Sequence, residues 1–403
     1  MTAEGTSRQR EVESLAALDA VLASGRPLRG LRLQDLDLTG REAAFLARTD
    51  VDGLVVLGGR LSAALDAHLR AHHALVFPTD PHAPVDPYRA TLYSPLELYH
   101  GLAAHGYAAT PDARAYRWAR EAAANHDAFV TLLRAIHDDS VTDALDEFVD
   151  GMPVVGVMGG HAIARGSTAY ADAARLGRSL ARVGLVVATG GGPGAMEAAN
   201  LGAYAARHGE DDAPEDRHDD PLDDPLEHAL RRLGAVPSFR DDIGRWAHLA
   251  LEVRAELGPG SGRSLGIPTW FYGHEPPGVF CDGIAKYFSN ALREDGLLAR
   301  STYGLVVLEG AAGTVQEVFQ AVTPLFYATP GAVLPPLVLV GHEYWTDTVP
   351  VWPAVVALAR GRDMHGVVHL VDTVAEAADV VTSGLDRRDL PRQHQRPSRE
   401  AHP

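Results

Sequence analysis

The sequence predicts an α/β protein built on a doubly wound parallel sheet, with an N-terminal α/β accessory region ahead of it. Three observations carry that expectation. From residue 152 onward, short apolar runs alternate with amphipathic stretches of helical period. Two of those runs end in glycine-rich loops that open helices, as in sheets that bind ligands beyond their strand ends. Residues 1–150 have another rhythm of short apolar runs and longer helical stretches, and they name no chemistry of their own. A chain of 403 residues has room for two to three domains.

In the accessory region, residues 7–23 read as an amphipathic helix ended by Gly25 and Pro27. LRGLRLQDLDLTG (28–40) alternates leucine with polar residues, as a half-buried strand or a short repeat-like coil does. Apolar runs at 54–57 and 74–77 flank a helical pattern at 61–71, a small βαβ-like unit. Residues 94–106 and 110–138 read as helices, the second opened by Thr110 and Pro111.

The second region, 151–385, opens with the buried strand PVVGVMGG (153–160) and a helix at 167–184 capped by Ser167. A strand, glycine loop and helix follow in 185–206. Later strands are expected at 267–273, 303–310, 335–341 and 367–372, with helices over 282–298 and from about 314. An acidic insertion, 208–228, interrupts this rhythm; residues 210–228 hold ten carboxylates against one arginine, without the spacing of a calcium loop. The polar tail 386–403 reads as disordered.

Composition narrows the function classes. Basic residues number 36 and acidic ones 53, a net charge of −17, which argues against a nucleic-acid polymer or an anionic membrane as partner. The one cysteine, Cys281, excludes an intrachain disulfide and a cysteine-rich zinc site. No apolar run reaches a membrane span and no signal-peptide core opens the chain, so a cytoplasmic location is expected. Lys286 is the only lysine, so no phosphate-binding GK[ST] loop exists and any Schiff base would have to form there.

Three segments carry candidate chemistry. In TGGGPGAMEAAN (189–200), Gly190, Gly191, Gly192 and Gly194 suit a tight turn or a close approach to an anion at the helix N-terminus. Glu197 then falls in the first helical turn, placed to complement the helix dipole or to face a ligand. In EGAAGTVQEVFQ (309–320), Gly310 and Gly313 shape a second such loop, and Thr314 with Glu317 has the spacing of a capping box. Within the expected 282–298 helix, Lys286, Asn290 and Arg293 would share one face, either solvated or a phosphate-binding stripe. In GGHAIARGS (159–167), His161 and Arg165 stand where a loop after the first strand would line a pocket.

With those segments in view, residues 152–382 resemble the LOG family of Rossmann-like phosphoribohydrolases, formerly labelled lysine decarboxylases. The likeness is nearest to the long bacterial nucleoside 5′-monophosphate nucleosidases. GGGPGAMEAAN (190–200) carries it together with GAAGTVQE (310–317), which stands where the family has PGGxGTxxE. The resemblance implies hydrolysis of a nucleoside 5′-monophosphate to free base and ribose 5-phosphate, with no metal or redox cofactor and a homodimer or higher oligomer. It assigns Glu317 and Arg293 to catalysis, Gly310, Gly313 and Thr314 to the phosphate, and Gly191, Gly192, Gly194 and Glu197 to the first loop. Two departures stand out: Glu309 replaces the family's proline, adding a carboxylate, and Ala311 replaces a glycine, whose methyl would crowd a phosphate at a left-handed position. They favour the alternative of a non-catalytic carrier for a phosphorylated nucleotide-like ligand, similar to molybdenum-cofactor carriers.

Overall fold

The computed structural model describes residues 10–77, 79–206, 224–272 and 275–383. The expected tail at 386–403 and the acidic insertion up to residue 223 lie outside the described residues. The last part of the insertion is ordered helix: Asp224 caps the Pro225–Leu233 helix and pairs with Arg178, while Glu227 pairs with Arg175.

The described chain forms two compact units. The first comprises the described residues up to Leu92 together with Arg117–Leu145. Its strands β1 (Arg10–Val12), β2 (Leu31–Gln34), β3 (Val55–Leu57) and β4 (Leu75–Val76) are parallel and lie side by side in chain order. Crossovers that all step the same way put their helices on one face, where a leucine-rich layer packs between them and the sheet. Leu18, Phe45, Leu65 and Leu69 from the helices meet Leu31, Leu33 and Val56 there. The expected 7–23 helix is shorter: Arg10–Val12 pairs as a strand, and Ser14 caps the Leu15–Ala23 helix. The 110–138 stretch divides at His126, whose φ of 51° ends one helix before Asp127 starts the Ala128–Val149 helix.

The second unit comprises Tyr93–Tyr116 and the described residues from Asp146. Residues 93–116, read from sequence as part of the N-terminal region, thus pack with the larger sheet. Tyr93 exchanges backbone hydrogen bonds of 3.0 and 2.9 Å with Ile284. The seven parallel strands are β5 (Val154–Met158), β6 (Val186–Thr189), β7 (Ser264–Gly266), β8 (Gly283–Ile284), β9 (Leu305–Val307), β10 (Leu337–Val340) and β11 (Val368–Val371). Their order is β11-β10-β9-β5-β6-β7-β8. The chain therefore winds outward from β5 in one direction, returns to the other side, and winds outward again from β9. Such a reversal opens a crevice at the carboxyl ends of the two central strands. β5, β6 and β9 are buried along their length, as a sheet covered on both faces requires.

Two expected elements are placed differently. The 267–273 strand is instead Ser264–Gly266, because Pro268 has no N–H to continue the ladder. The 282–298 helix starts only at Asn290, capped by Ser289, since Gly283–Ile284 is the edge strand β8.

Candidate functional site

A cleft of about 720 Å³ opens at this reversal. Gly159 and Gly160 follow β5 into it, Gly190 and Gly192 follow β6, and Glu309 to Thr314 follow β9. The backbones of the first and last loops touch: Gly160 N–H donates to the Glu309 carbonyl at 2.9 Å.

One end of the cleft is the start of the Ala312–Phe326 helix. Ala311 occupies the cap position and no side chain caps it. The expected capping box between Thr314 and Glu317 is absent because the helix begins two residues before Thr314. Both side chains are thereby released from capping, and the first-turn N–H groups of Ala312, Gly313 and Thr314 lack helical acceptors. Uncapped N–H groups at the positive end of a helix suit an anion. Ala311 has φ of −89°, so its methyl incurs no left-handed strain. Gly310 is required: a Cβ there would collide with Thr314, and its carbonyl accepts the Tyr344 hydroxyl at 2.7 Å.

At the centre, Arg293 and Glu317 meet. Arg293 Nη1 donates to Glu317 Oε1 at 2.8 Å, and its Nε donates to the Ile267 carbonyl at 2.8 Å. Burial raises Glu317 above the ordinary glutamate range; Arg293 opposes this, and Glu294 and Glu275 add to it. Glu294, one residue after Arg293, accepts from Asn290 at 2.7 Å on Oε1 and from Gln316 and Gln320 at 2.9 and 3.2 Å on Oε2. This network ties the Asn290–Arg300 helix to the Ala312–Phe326 helix and thereby sets the Arg293–Glu317 distance.

The other end is lined by Met196, Pro268, Thr269, Tyr272 and Glu275. His161 spans this cleft and a smaller neighbouring pocket, its Nδ1 3.4 Å from Glu275 and its Nε2 3.3 Å from Arg240 Nη2.

Arg293, Glu317, Gly192, Gly310, Gly313, Thr314 and His161 therefore gather in one cleft, as the sequence suggests. Others do not line it. Lys286 is not on a helix face with Arg293; it is buried, and its Nζ donates to Asp112 at 2.6 Å. Asn290 opens the Arg293 helix but turns to Glu294 and the Tyr272 hydroxyl. Arg165 and Glu197 form a buried two-pronged ion pair of 2.9 and 2.5 Å, with the Tyr170 hydroxyl donating to Glu197 at 2.8 Å. Glu197 thus anchors the first loop from below, while Gly191, at φ of 65°, packs against Pro268. Gly194, Arg165 and Glu197 border the smaller pocket.

Sequence reasoning missed Glu294, Glu275, Tyr272, Met196, Gln316 and Tyr344. Glu294 and Gln316 had a usable signal, since each adjoins a residue already singled out. Tyr272 had none, because it falls in the 267–273 stretch read as a strand, and Glu275 lies just past that stretch.

The comparison with protein-family models bears on the first half of this site. Residues 152–209 match the SLOG cluster4 family. The match supports a SLOG/LOG-like relationship and a nucleotide-related function in general. It spans β5, its glycines and the first glycine loop through Glu197, but reaches neither Arg293 nor Glu317. No curated protein matches the chain. No described helix is long and apolar enough to cross a membrane.

Proposed function

We propose that the cleft binds a nucleoside 5′-monophosphate and hydrolyses its N-glycosidic bond, releasing free base and ribose 5-phosphate. The observation that carries this reading is the near-buried Arg293–Glu317 pair, held in the same cleft as the uncapped helix start. The 5′-phosphate sits against the Ala312–Thr314 N–H groups, and this remote anchorage positions the ribose over Glu317. Positive charge builds on the sugar as the bond breaks, and a fixed carboxylate stabilises it. Arg293 occupies Glu317 Oε1, leaving Oε2 without a hydrogen-bond donor among the described residues. That oxygen orients the attacking water and takes its proton.

Chromatographic detection of free base from purified protein, against a panel of nucleoside monophosphates, tests this. Glu317→Gln is expected to lower turnover by about 10²-fold or more. A carrier reading is favoured by the extra carboxylate of Glu309 at the phosphate end. Stoichiometric binding of a phosphorylated ligand, with no base released from any nucleotide, would establish the carrier instead.

A further inference from the structure

The cleft lining as a whole carries an excess of negative charge, and one of its carboxylates, Glu275, stands with Tyr272 and Met196 at the end away from the phosphate. Among the described residues, Glu275, Glu294, Glu309 and Glu317 line it, against Arg293 as the one Lys or Arg side chain. Three of the five Arg293 N–H groups are taken: Nε and Nη1 hold the Ile267 carbonyl and Glu317, and Nη2 faces the Gly190 carbonyl at 3.5 Å. A guanidinium keeps its proton in a protein, so Arg293 is no acid for a departing base. His161 has one ring nitrogen facing Glu275 and the other Arg240. Two further observations point the same way. Tyr272 presents a half-exposed aromatic ring at this end, and a ring face attracts a cation. Glu275 also reaches over the first glycine loop: a Cβ on Gly192 would lie 3.5 Å from Glu275 Oε2.

We propose that this end of the cleft selects a ribonucleoside 5′-phosphate whose base is a cationic ring, quaternised at the glycosidic nitrogen, and that Glu275 is the residue that selects it. The inference rests on the N-glycosidase reading above and specifies its substrate class. Such a ring needs no proton to leave. The C1′–N bond breaks with its electron pair passing to the ring nitrogen, which becomes neutral. Water oxygen bonds to C1′, and the water proton passes to Glu317 and then to solvent. The sum is cationic nucleotide plus water giving neutral base, ribose 5-phosphate and one proton. A neutral base, by contrast, leaves as an anion unless a donor reaches it.

The test uses the full chain and two probes of nearly equal shape, oxidised and reduced nicotinamide mononucleotide, whose rings differ in charge. Calorimetric binding is expected to favour the oxidised form by about tenfold or more, and Glu275→Gln to bring that ratio close to one. In the base-release assay, the oxidised form is expected to be cleaved faster than AMP, GMP, CMP and UMP. Equal affinity for the two ring states, or a ratio untouched by Glu275→Gln, would overturn the inference. So would faster cleavage of the neutral-base nucleotides, which leaves the N-glycosidase reading standing. Charge-selective binding without base release from any nucleotide would support the selection by Glu275 and overturn the hydrolysis. Because the two probes are compared on the wild-type chain, a variant that fails to fold does not remove the test.

Discussion

At the scale of single residues, the site is governed by how burial and neighbouring charge act on Glu317. Its carboxyl is raised above the ordinary glutamate range by burial, with Glu294 and Glu275 reinforcing the shift and Arg293 opposing it. The proposed reaction needs Glu317 ionised, so activity is expected to rise with pH along a limb above the ordinary glutamate range, and to fall as pH drops through it. Glu294→Gln keeps the size of the side chain and removes a like charge, while one of its two acceptor oxygens becomes an N–H donor, so that limb should move to lower pH by roughly half a unit or more. A pH–rate profile of both proteins checks the direction; a purely structural Glu294 would leave the limb where it is. The spacing of Thr314 and Glu317 was legible in the sequence, but its meaning was not. The same four-residue interval serves a capping box or an unoccupied helix start, and only the position of Ala311 as the cap separates them.

At the scale of elements, buried ion pairs and close helix contacts hold the site's supports. Lys286 illustrates the gap between pattern and placement. Its helical spacing to Arg293 suggested a shared face, yet a two-residue edge strand comes first and turns Lys286 into the interior. There Asp112 accepts from Lys286, from Trp270 Nε1 at 2.8 Å and from the Tyr107 hydroxyl at 2.8 Å. Lys286→Met would leave that carboxylate buried without its cation, at a cost of about 3–5 kcal/mol, read as a lower denaturant midpoint. The Thr168–Arg182 and Ala195–Ala205 helices approach so closely that a Cβ on Gly202 would strike the Ala174 carbonyl. Gly202→Ala is therefore expected to destabilise by about 1–3 kcal/mol, measured by the same titration. Helix existence was readable from period and caps, Ser167 being one residue where both agree with the structure. Short strands such as Gly283–Ile284 were not readable, because two residues show no period and depend on neighbours distant in sequence.

At the scale of the whole molecule, the compact units do not meet at the change of sequence rhythm near residue 150. The larger unit takes in Tyr93–Tyr116, and with it Asp112 and the Tyr93 bridge to Ile284. A fragment comprising 151–403 would lack both, leaving Lys286 and Trp270 Nε1 without their acceptor. Thermal unfolding of that fragment is expected to occur well below that of the full chain, or it should fail to fold cooperatively; equal midpoints would show that the 93–116 segment is dispensable.

What the sequence determined by itself is the class of fold and the outline of the site. Alternating apolar and helical stretches require a parallel sheet, and glycine loops after strands bring Gly192, Gly310 and Gly313 to its ligand-binding edge, because these follow from local period and local backbone freedom. Tertiary structure alone decided which charged residues face the cleft. Glu197 and Arg165 turned inward to each other, Lys286 to Asp112, and Glu275 and Glu294 entered the site unannounced. The physical reason is that the energy of a buried charge depends on the partner it finds, and those partners lie from 32 residues away, for Arg165 and Glu197, to 174, for Lys286 and Asp112.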